Sequence, residues 1–306
     1  MTTVIDMHTH AQQIIQTDPG YAAWLRRLAA VAGRRGLVGV WERFGYGPGL
    51  VNRVTIWAAA PLTTFEVQLR HVMVAPERLR EAMRQAGVSQ AVTLPIDPLG
   101  SSDENLALGR AFPELIPFVS VHPDVPGAAQ RVDDLLARGG RGVKLHPVLQ
   151  EVPAEALSWH ALLEAIGAHD LVVLTHTGDF SYYLRRRPAS TYASPLRFER
   201  MLSAFPRQTF VLGHSGLHQF EDALALAQRH DNTVLETSFQ HHTRIRRALD
   251  ALGSERVVFG SDWPAGDPAV ALKQARRAAR SDDELERILH RNAQRLLGAV
   301  APVSAG

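Results

Sequence analysis

Short β-branched and aliphatic runs alternate with longer amphipathic segments along most of the chain. Such alternation predicts parallel strand–helix units. Eight runs qualify as strands: 4–10, 91–97, 116–122, 142–146, 171–177, 209–215, 233–239 and 257–262. Helical patterns fall between them. One covers Pro76–Ala86 and stops at Gly87, a residue suited to a left-handed helix end. Another begins at Ser102 with acids in its first turn. The others span 127–138, 153–168, 195–205, 219–230, 242–252, 268–279 and 282–297. Eight strands with interleaved helices predict a (β/α)₈ barrel in one domain over 1–306. A doubly wound open sheet is the rival, and it would not usually need eight units.

Residues 11–75 break the alternation and are far too long for a strand-to-helix loop. They hold a helical piece around 21–32, a Gly-rich aromatic stretch with Trp41, Arg43, Phe44 and Tyr46, and a second helical piece before Pro76. An insertion after the first strand belongs over the C-terminal mouth of a barrel. It reads equally as a lid over a pocket and as a packing or oligomer-contact subdomain.

Composition narrows the chemistry. The 306 residues leave room for a barrel of roughly 250 plus the insertion. With 33 basic and 31 acidic residues, near balance gives no reason to expect nucleic acid. Cysteine is absent, so disulfides are excluded and a transition metal would need His and carboxylate ligands. No apolar run approaches the roughly 18 to 20 residues that span a bilayer, and the chain opens directly into a strand pattern; a cytoplasmic location is expected.

Candidate ligands gather at strand ends. His8 and His10 in Asp6-Met7-His8-Thr9-His10 share one face of a strand. Asp6 has the same parity, where it could orient a ligand imidazole. Alone, a His-x-His pair is weak evidence. Strand five ends in Thr175-His176-Thr177-Gly178, strand six in Gly213-His214-Ser215-Gly216, and strand eight in Gly260-Ser261-Asp262-Trp263-Pro264. Four imidazoles and a carboxylate at matching heights are hard to read as structural polar groups; a metal joins them economically. Strand four adds Lys144 and His146 on one face. Lys144 has three readings: a lysine paired with a neighbouring carboxylate, a carbamylated bridge between two metals, or a partner for a substrate carboxylate.

Together these motifs, with Gly142-Val143-Lys144-Leu145-His146-Pro147 and the tail Arg291-Asn292-Ala293-Gln294-Arg295-Leu296-Leu297, resemble the amidohydrolase superfamily from end to end outside 11–75. They look like its branch of hydrolases and non-oxidative decarboxylases of aromatic acids. The resemblance implies a TIM barrel and one or two divalent ions, with zinc the default and manganese or iron open. It implies His8, His10 and Asp262 on the first ion. In a binuclear site, His176 and His214 hold a second ion and carbamylated Lys144 bridges. In a mononuclear site, His176 completes the set and His214 shuttles protons. The decarboxylase relatives often lack the strand-four lysine, so its presence leans towards hydrolysis.

The implied reaction is hydrolysis of an ester, lactone or amide of a small molecule by metal-activated water, with Asp262 as the proton carrier and His214 stabilising the oxyanion. Decarboxylation of an aromatic or unsaturated acid is the alternative; it needs a cation at the mouth, for which His146, Arg43 and the Arg185-Arg186-Arg187 run are candidates. A catalytically silent metal-binding barrel is the least favoured, because all five core ligands are present. Substrate contacts are expected from His146, Thr177, Tyr182, Trp263 and His241, with Asp179, Phe180, Tyr183, Phe239 and Gln240 close by in sequence. His122 has uncertain parity; His160, His169 and His230 read as structural. A homodimer is the assembly suggested by analogy with such barrels, and no membrane partner is expected.

Overall fold

A computed structural model describes residues 3–15, 18–34, 60–182 and 187–298. Trp41, Arg43, Phe44, Tyr46, Tyr183, Arg185 and Arg186 lie outside the described residues. The eight expected strands are all present and shorter than their apolar runs: β1 (Ile5–Thr9), β2 (Gln90–Thr93), β3 (Leu115–Pro117), β4 (Val143–Leu145), β5 (Val173–His176), β6 (Phe210–Gly213), β7 (Thr233–Glu236) and β8 (Val257–Val258). The runs continue past the last ladder bond because the strand ends turn into the mouth, where neighbouring strands diverge.

All pairings are parallel, in sheets ordered β1-β2-β3 and β4-β5-β6-β7-β8. Single bridges stand at the two seams, Val119 to Val143 and Thr9 to Trp263. Backbone bonds reinforce them: Lys144 N to Val119 O at 2.8 Å, and Met7 N to Phe259 O at 3.0 Å. The order is that of a TIM barrel with its strands in sequence around the ring. Every residue of β1 is buried, as a parallel strand covered on both faces must be.

The helices are α1 (Pro19–Arg34), α2 (Ala60–His71), α3 (Pro76–Ala86), α4 (Ser102–Ala111), α5 (Ala128–Ala137), α6 (Trp159–Gly167), α7 (Glu199–Ala204), α8 (Phe220–Arg229), α9 (His242–Leu252), α10 (Pro268–Ala278), α11 (Asp282–Glu286) and α12 (Asn292–Leu297). Gly87 caps α3 at φ 76°, and Ser101 caps α4 by accepting from Glu104 N. Two expectations need correction. The helix over 153–168 begins only at Trp159, after a looped segment. The helix over 282–297 is interrupted by a π turn at 287–291 between α11 and α12. In that stretch Phe259 N takes the Ile288 carbonyl, which draws the last helices onto β8.

The outer core packs strand residues such as Val143, Leu212 and Phe259 against Leu79, Val132, Trp159 and Leu249 from the helices. A second cluster joins Ile5, Met7, Phe118, Leu174 and Val258 to Leu296 and Leu297 of α12. Asn105 of α4 donates to the carbonyls of Thr93 and Phe118, both at 2.8 Å, and so locks that helix across the ends of β2 and β3. From the insertion, α1 and α2 pack on each other through Leu25, Ala29, Leu69 and Val72. Arg70 of α2 reaches the carbonyls of Pro264 and Ala265 at 3.3 and 2.9 Å, just after β8.

Candidate metal centre

His8 and His10 leave the end of β1, and their Nδ1 atoms are both spoken for. His10 Nδ1 meets the Leu94 carbonyl at 2.7 Å, and a carbonyl can only accept, so this nitrogen carries the hydrogen. His8 Nδ1 meets Oε2 of Glu236 at 2.9 Å. Glu236 also accepts from His214 N at 2.9 Å, from the Ser238 hydroxyl at 2.8 Å and from Ser238 N. An ionised carboxylate only accepts, so His8 Nδ1 donates to it as these three groups do. Burial pushes the Glu236 carboxyl up to about 7, against these hydrogen bonds, which lower it.

Both Nε2 atoms are therefore lone pairs, and both face Oδ1 of Asp262, at 3.3 Å from His8 and 3.2 Å from His10. Three acceptors converge, and the donor beside them is the Lys144 amine at His8 Nε2. Ligand atoms about 2.0–2.1 Å from one tetrahedral ion lie about 3.4 Å apart, which is close to the spacing seen. The residues fit a divalent cation. Lys144, fully buried, is a neighbour with Nζ 3.2 Å from His8 Nε2. Burial pushes Asp262 up and Lys144 down, each partly offset by the charge of the other.

A second pair of acceptors lies beside this one. The Ser238 hydroxyl spends its proton on Glu236, so it accepts from His214 Nδ1 at 2.7 Å. His176 Nε2 donates to the Gly178 carbonyl at 3.0 Å. That leaves His214 Nε2 and His176 Nδ1 as lone pairs 3.1 Å apart. His146 Nδ1 accepts from Leu149 N, so its Nε2 donates to the Tyr182 hydroxyl at 3.0 Å; the hydroxyl turns its own proton to His176 Nδ1 at 3.4 Å. Burial holds all these imidazoles neutral by lowering their pKa values, to about 3 for His10 and His176.

Backbone geometry serves the same arrangement. His214 and Asp262 sit at φ 61° and 59°, in the left-handed region that costs ordinary residues energy. The turns re-aim both side chains where their strands end. Gly260 is a close approach: a Cβ there would stand 2.9 Å from Cγ of Glu236 and nearer its Oε1.

A cavity of about 150 Å³ opens over these groups, lined by His8, His10, His146, His176, Tyr182, His214 and Asp262. Phe180, Leu217, His218, Phe239 and Arg244 complete the barrel side, and Thr63, Glu66, Val67, Arg70 and His71 of α2 form the other wall. Several expected residues lie elsewhere. Thr177 turns its hydroxyl to its own strand, at the Thr175 carbonyl. Trp263 packs against the core beside its bridge to Thr9. His241 caps α9, accepting from Thr243 N. Asp179 N bonds Gln219, and Gln240 bonds the carbonyls of His214 and Leu217. His122 is tied to the Gln150 carbonyl, and Arg187 pairs with Glu151 on the surface. Asp6 does not orient a ligand ring; it accepts from the backbone of His8 and Ser261, and the orienting carboxylate is Glu236. The signal for Glu236 was present, since an acid closes the apolar run of β7 as polar residues close β5, β6 and β8. His71 carried no such signal, because it lies on an insertion helix.

Comparison with known proteins bears on the family and the fold. A family profile described as amidohydrolase matches residues 5–299. No curated protein matches significantly. Among solved structures, an uncharacterised TIM-barrel protein from Bordetella bronchiseptica is 22% identical, with 96% of this chain and 98% of that one covered at a TM-score of 0.67. A 5-carboxyvanillate decarboxylase from Novosphingobium aromaticivorans, complexed with manganese, is 14% identical over 96% of both chains at 0.62. A probable 2-pyrone-4,6-dicarboxylic acid hydrolase from Acinetobacter baumannii is 14% identical over 97% and 99% at 0.59. These likenesses establish the fold, and the profile match over nearly the whole length establishes that the chain belongs to the amidohydrolase family.

Proposed function

We propose that this protein is a metal-dependent hydrolase that cleaves an ester, lactone or amide bond of a small molecule. The convergence of His8 Nε2, His10 Nε2 and Asp262 Oδ1 carries the proposal. These residues would hold the ion, with zinc the default for such donors and manganese supported by the decarboxylase neighbour. When bound, a divalent ion supplies Lewis acidity and lowers the pKa of water towards about 7.

The residues of the chain do the rest. Asp262 takes the proton of the attacking water and returns it to the leaving group. His214, held by Ser238 with its Nε2 free of hydrogen, accepts or relays a proton beside the reacting carbon. The Tyr182 hydroxyl, kept protonated by burial, lines the cavity and turns its proton to His176 Nδ1. Helix α2 walls the cavity, which supports the lid reading of the insertion. A cavity near 150 Å³ suits a single small ring, since an enclosed space of about that size holds benzene. Near-neutral charge supports a small-molecule substrate over nucleic acid. A homodimer and a cytoplasmic location stay part of this proposal.

The decarboxylase reading is kept because a neighbour of the same fold is a decarboxylase and because Asp262, raised by burial, could protonate a ring carbon. The test is to count metal per chain by plasma mass spectrometry. The loaded protein is then assayed on aryl esters, lactones and amides, and for CO₂ release from ring acids. Metal-dependent hydrolysis supports the first reading, and CO₂ release moves the assignment to the second. Two ions per chain would support a carbamylated Lys144 bridge; one ion would return Lys144 to a charge-pairing or substrate role. No metal uptake from added zinc or manganese would sink both readings.

A further inference from the structure

Helix α2 brings to the cavity one imidazole that the metal-centre motifs do not include. His71 ends that helix and is 2% exposed. Its Nδ1 lies 2.8 Å from the Val67 carbonyl one turn earlier. The carbonyl can only accept, so in the neutral ring Nδ1 carries the hydrogen and Nε2 is a lone pair. That Nε2 is buried and has no hydrogen-bond partner among the described residues. The ring lines the cavity, with its centroid 6.3 Å from that of His10. A buried acceptor with nothing to accept from is costly, and its use is best sought in what fills the cavity.

The adjoining groups do not satisfy it. Arg70, the preceding residue, directs its guanidinium to Glu66 and to the Pro264 and Ala265 carbonyls. His10 has its Nδ1 on Leu94 and its Nε2 on Asp262. We propose that His71 Nε2 is the acceptor that reads a protic substituent, a hydroxyl or an N–H, on the ring of the substrate. The His71 and His10 ring centroids stand 6.3 Å apart, so the substituent stands away from the carboxyl group that faces His8, His10 and Asp262. This rests on the metal-dependent reading only for that carboxyl anchor, which a hydrolysis product and a decarboxylation substrate share. A site with a dedicated acceptor discriminates against the analogue that lacks the donor.

The test uses the full-length, metal-loaded protein and calorimetric titration with 3- and 4-hydroxybenzoate, each against its fluorobenzoate counterpart. In wild-type protein, one hydroxy acid is expected to bind about five- to tenfold more tightly than its fluoro analogue. His71→Leu should erase that preference while the fluoro acid binds as before. His71→Gln, which offers an amide oxygen, should restore much of it. Equal binding of hydroxy and fluoro acids to the wild type would overturn the inference while leaving the ring-acid reading intact. So would a preference that survives in His71→Leu. If none of the four acids binds at millimolar concentration, the ring-acid reading itself falls, and the assignment of the donor falls with it.

Discussion

His8 Nδ1 and Glu236 Oε2 lie 2.9 Å apart, across the barrel from β1 to β7. The contact fixes which nitrogen of His8 faces the metal position. The same carboxylate holds His214 through its backbone N–H and through Ser238. One buried acid thus sets the tautomers of two imidazoles. Carboxylate–imidazole pairs of this kind typically contribute about 10- to 100-fold to metal affinity. Glu236→Gln is expected to weaken metal binding by about that factor, because the amide cannot accept four hydrogen bonds. A chelator-competition titration measures it, and unchanged affinity would remove the role assigned to Glu236.

Asp262 sits at the meeting point of His8 and His10 with little exposure to solvent. Asp262→Asn keeps the shape and removes the proton carrier. Turnover is expected to fall by about 10²- to 10⁴-fold. Cooperative thermal unfolding should persist, since the side chain is isosteric. Near-wild-type turnover would overturn the role given to Asp262 in either reaction.

Gly260 tests the packing behind Glu236 without touching a ligand. The Ala methyl group in Gly260→Ala would meet the Glu236 carboxyl group and press it towards His8. Overpacking of this kind costs about 1–3 kcal/mol. A lowered denaturant midpoint together with weaker metal binding is expected. Full stability with full metal affinity would show that Glu236 has room to shift.

The metal-free protein should lose stability as pH falls below about 6.5 and hold it nearly level from about pH 7 to 8. The buried imidazoles of His8, His10, His71, His146, His176 and His214 have lowered pKa values, to about 3 for His10, His71 and His176. Below about 6.5 the unfolded chain binds more protons at these positions, so stability falls as pH falls through that window. Asp6 and Glu236 are pushed up by burial to about 7, and Asp262 is also raised. For these acids the folded state holds more protons above about pH 4, so their contribution falls as pH rises towards their folded values. The imidazoles outnumber the acids on the acidic side, and above it the acids are opposed by Lys144, whose pKa burial lowers to about 7, so that there the unfolded chain binds the extra proton. Urea midpoints from pH 4 to 8 in chelator-treated protein measure the profile. A midpoint that stays level from pH 6.5 down to 4 would contradict it.

Much of this was legible in the chain. Apolar runs that end in His, His and Asp, each within two residues of a glycine, marked the C-terminal ends of β5, β6 and β8, because only a strand end brings a polar side chain into the mouth of a buried sheet. Amphipathic pattern, with Gly87 closing the first, gave the helix limits Pro76–Ala86 and His242–Leu252 to the residue. The limits of the strands were less visible. An apolar run marks burial, whereas a ladder ends where neighbouring backbones diverge, and β8 keeps two residues of its run.

The sequence by itself determined the barrel order and most of the residues that meet at its mouth, because side-chain alternation and strand-end position are local properties of the chain. Only the tertiary structure decided which nitrogen each imidazole presents. That choice depends on partners far away in sequence: Glu236 for His8, Leu94 for His10 and Ser238 for His214. It also decided which mouth residues reach the cavity. Tyr182 and His146 do, while His241 caps a helix, because a loop aims its side chains through backbone turns that no local pattern encodes. His71 became visible only when α2 folded back over the mouth, for an insertion carries no repeat by which its position could be counted.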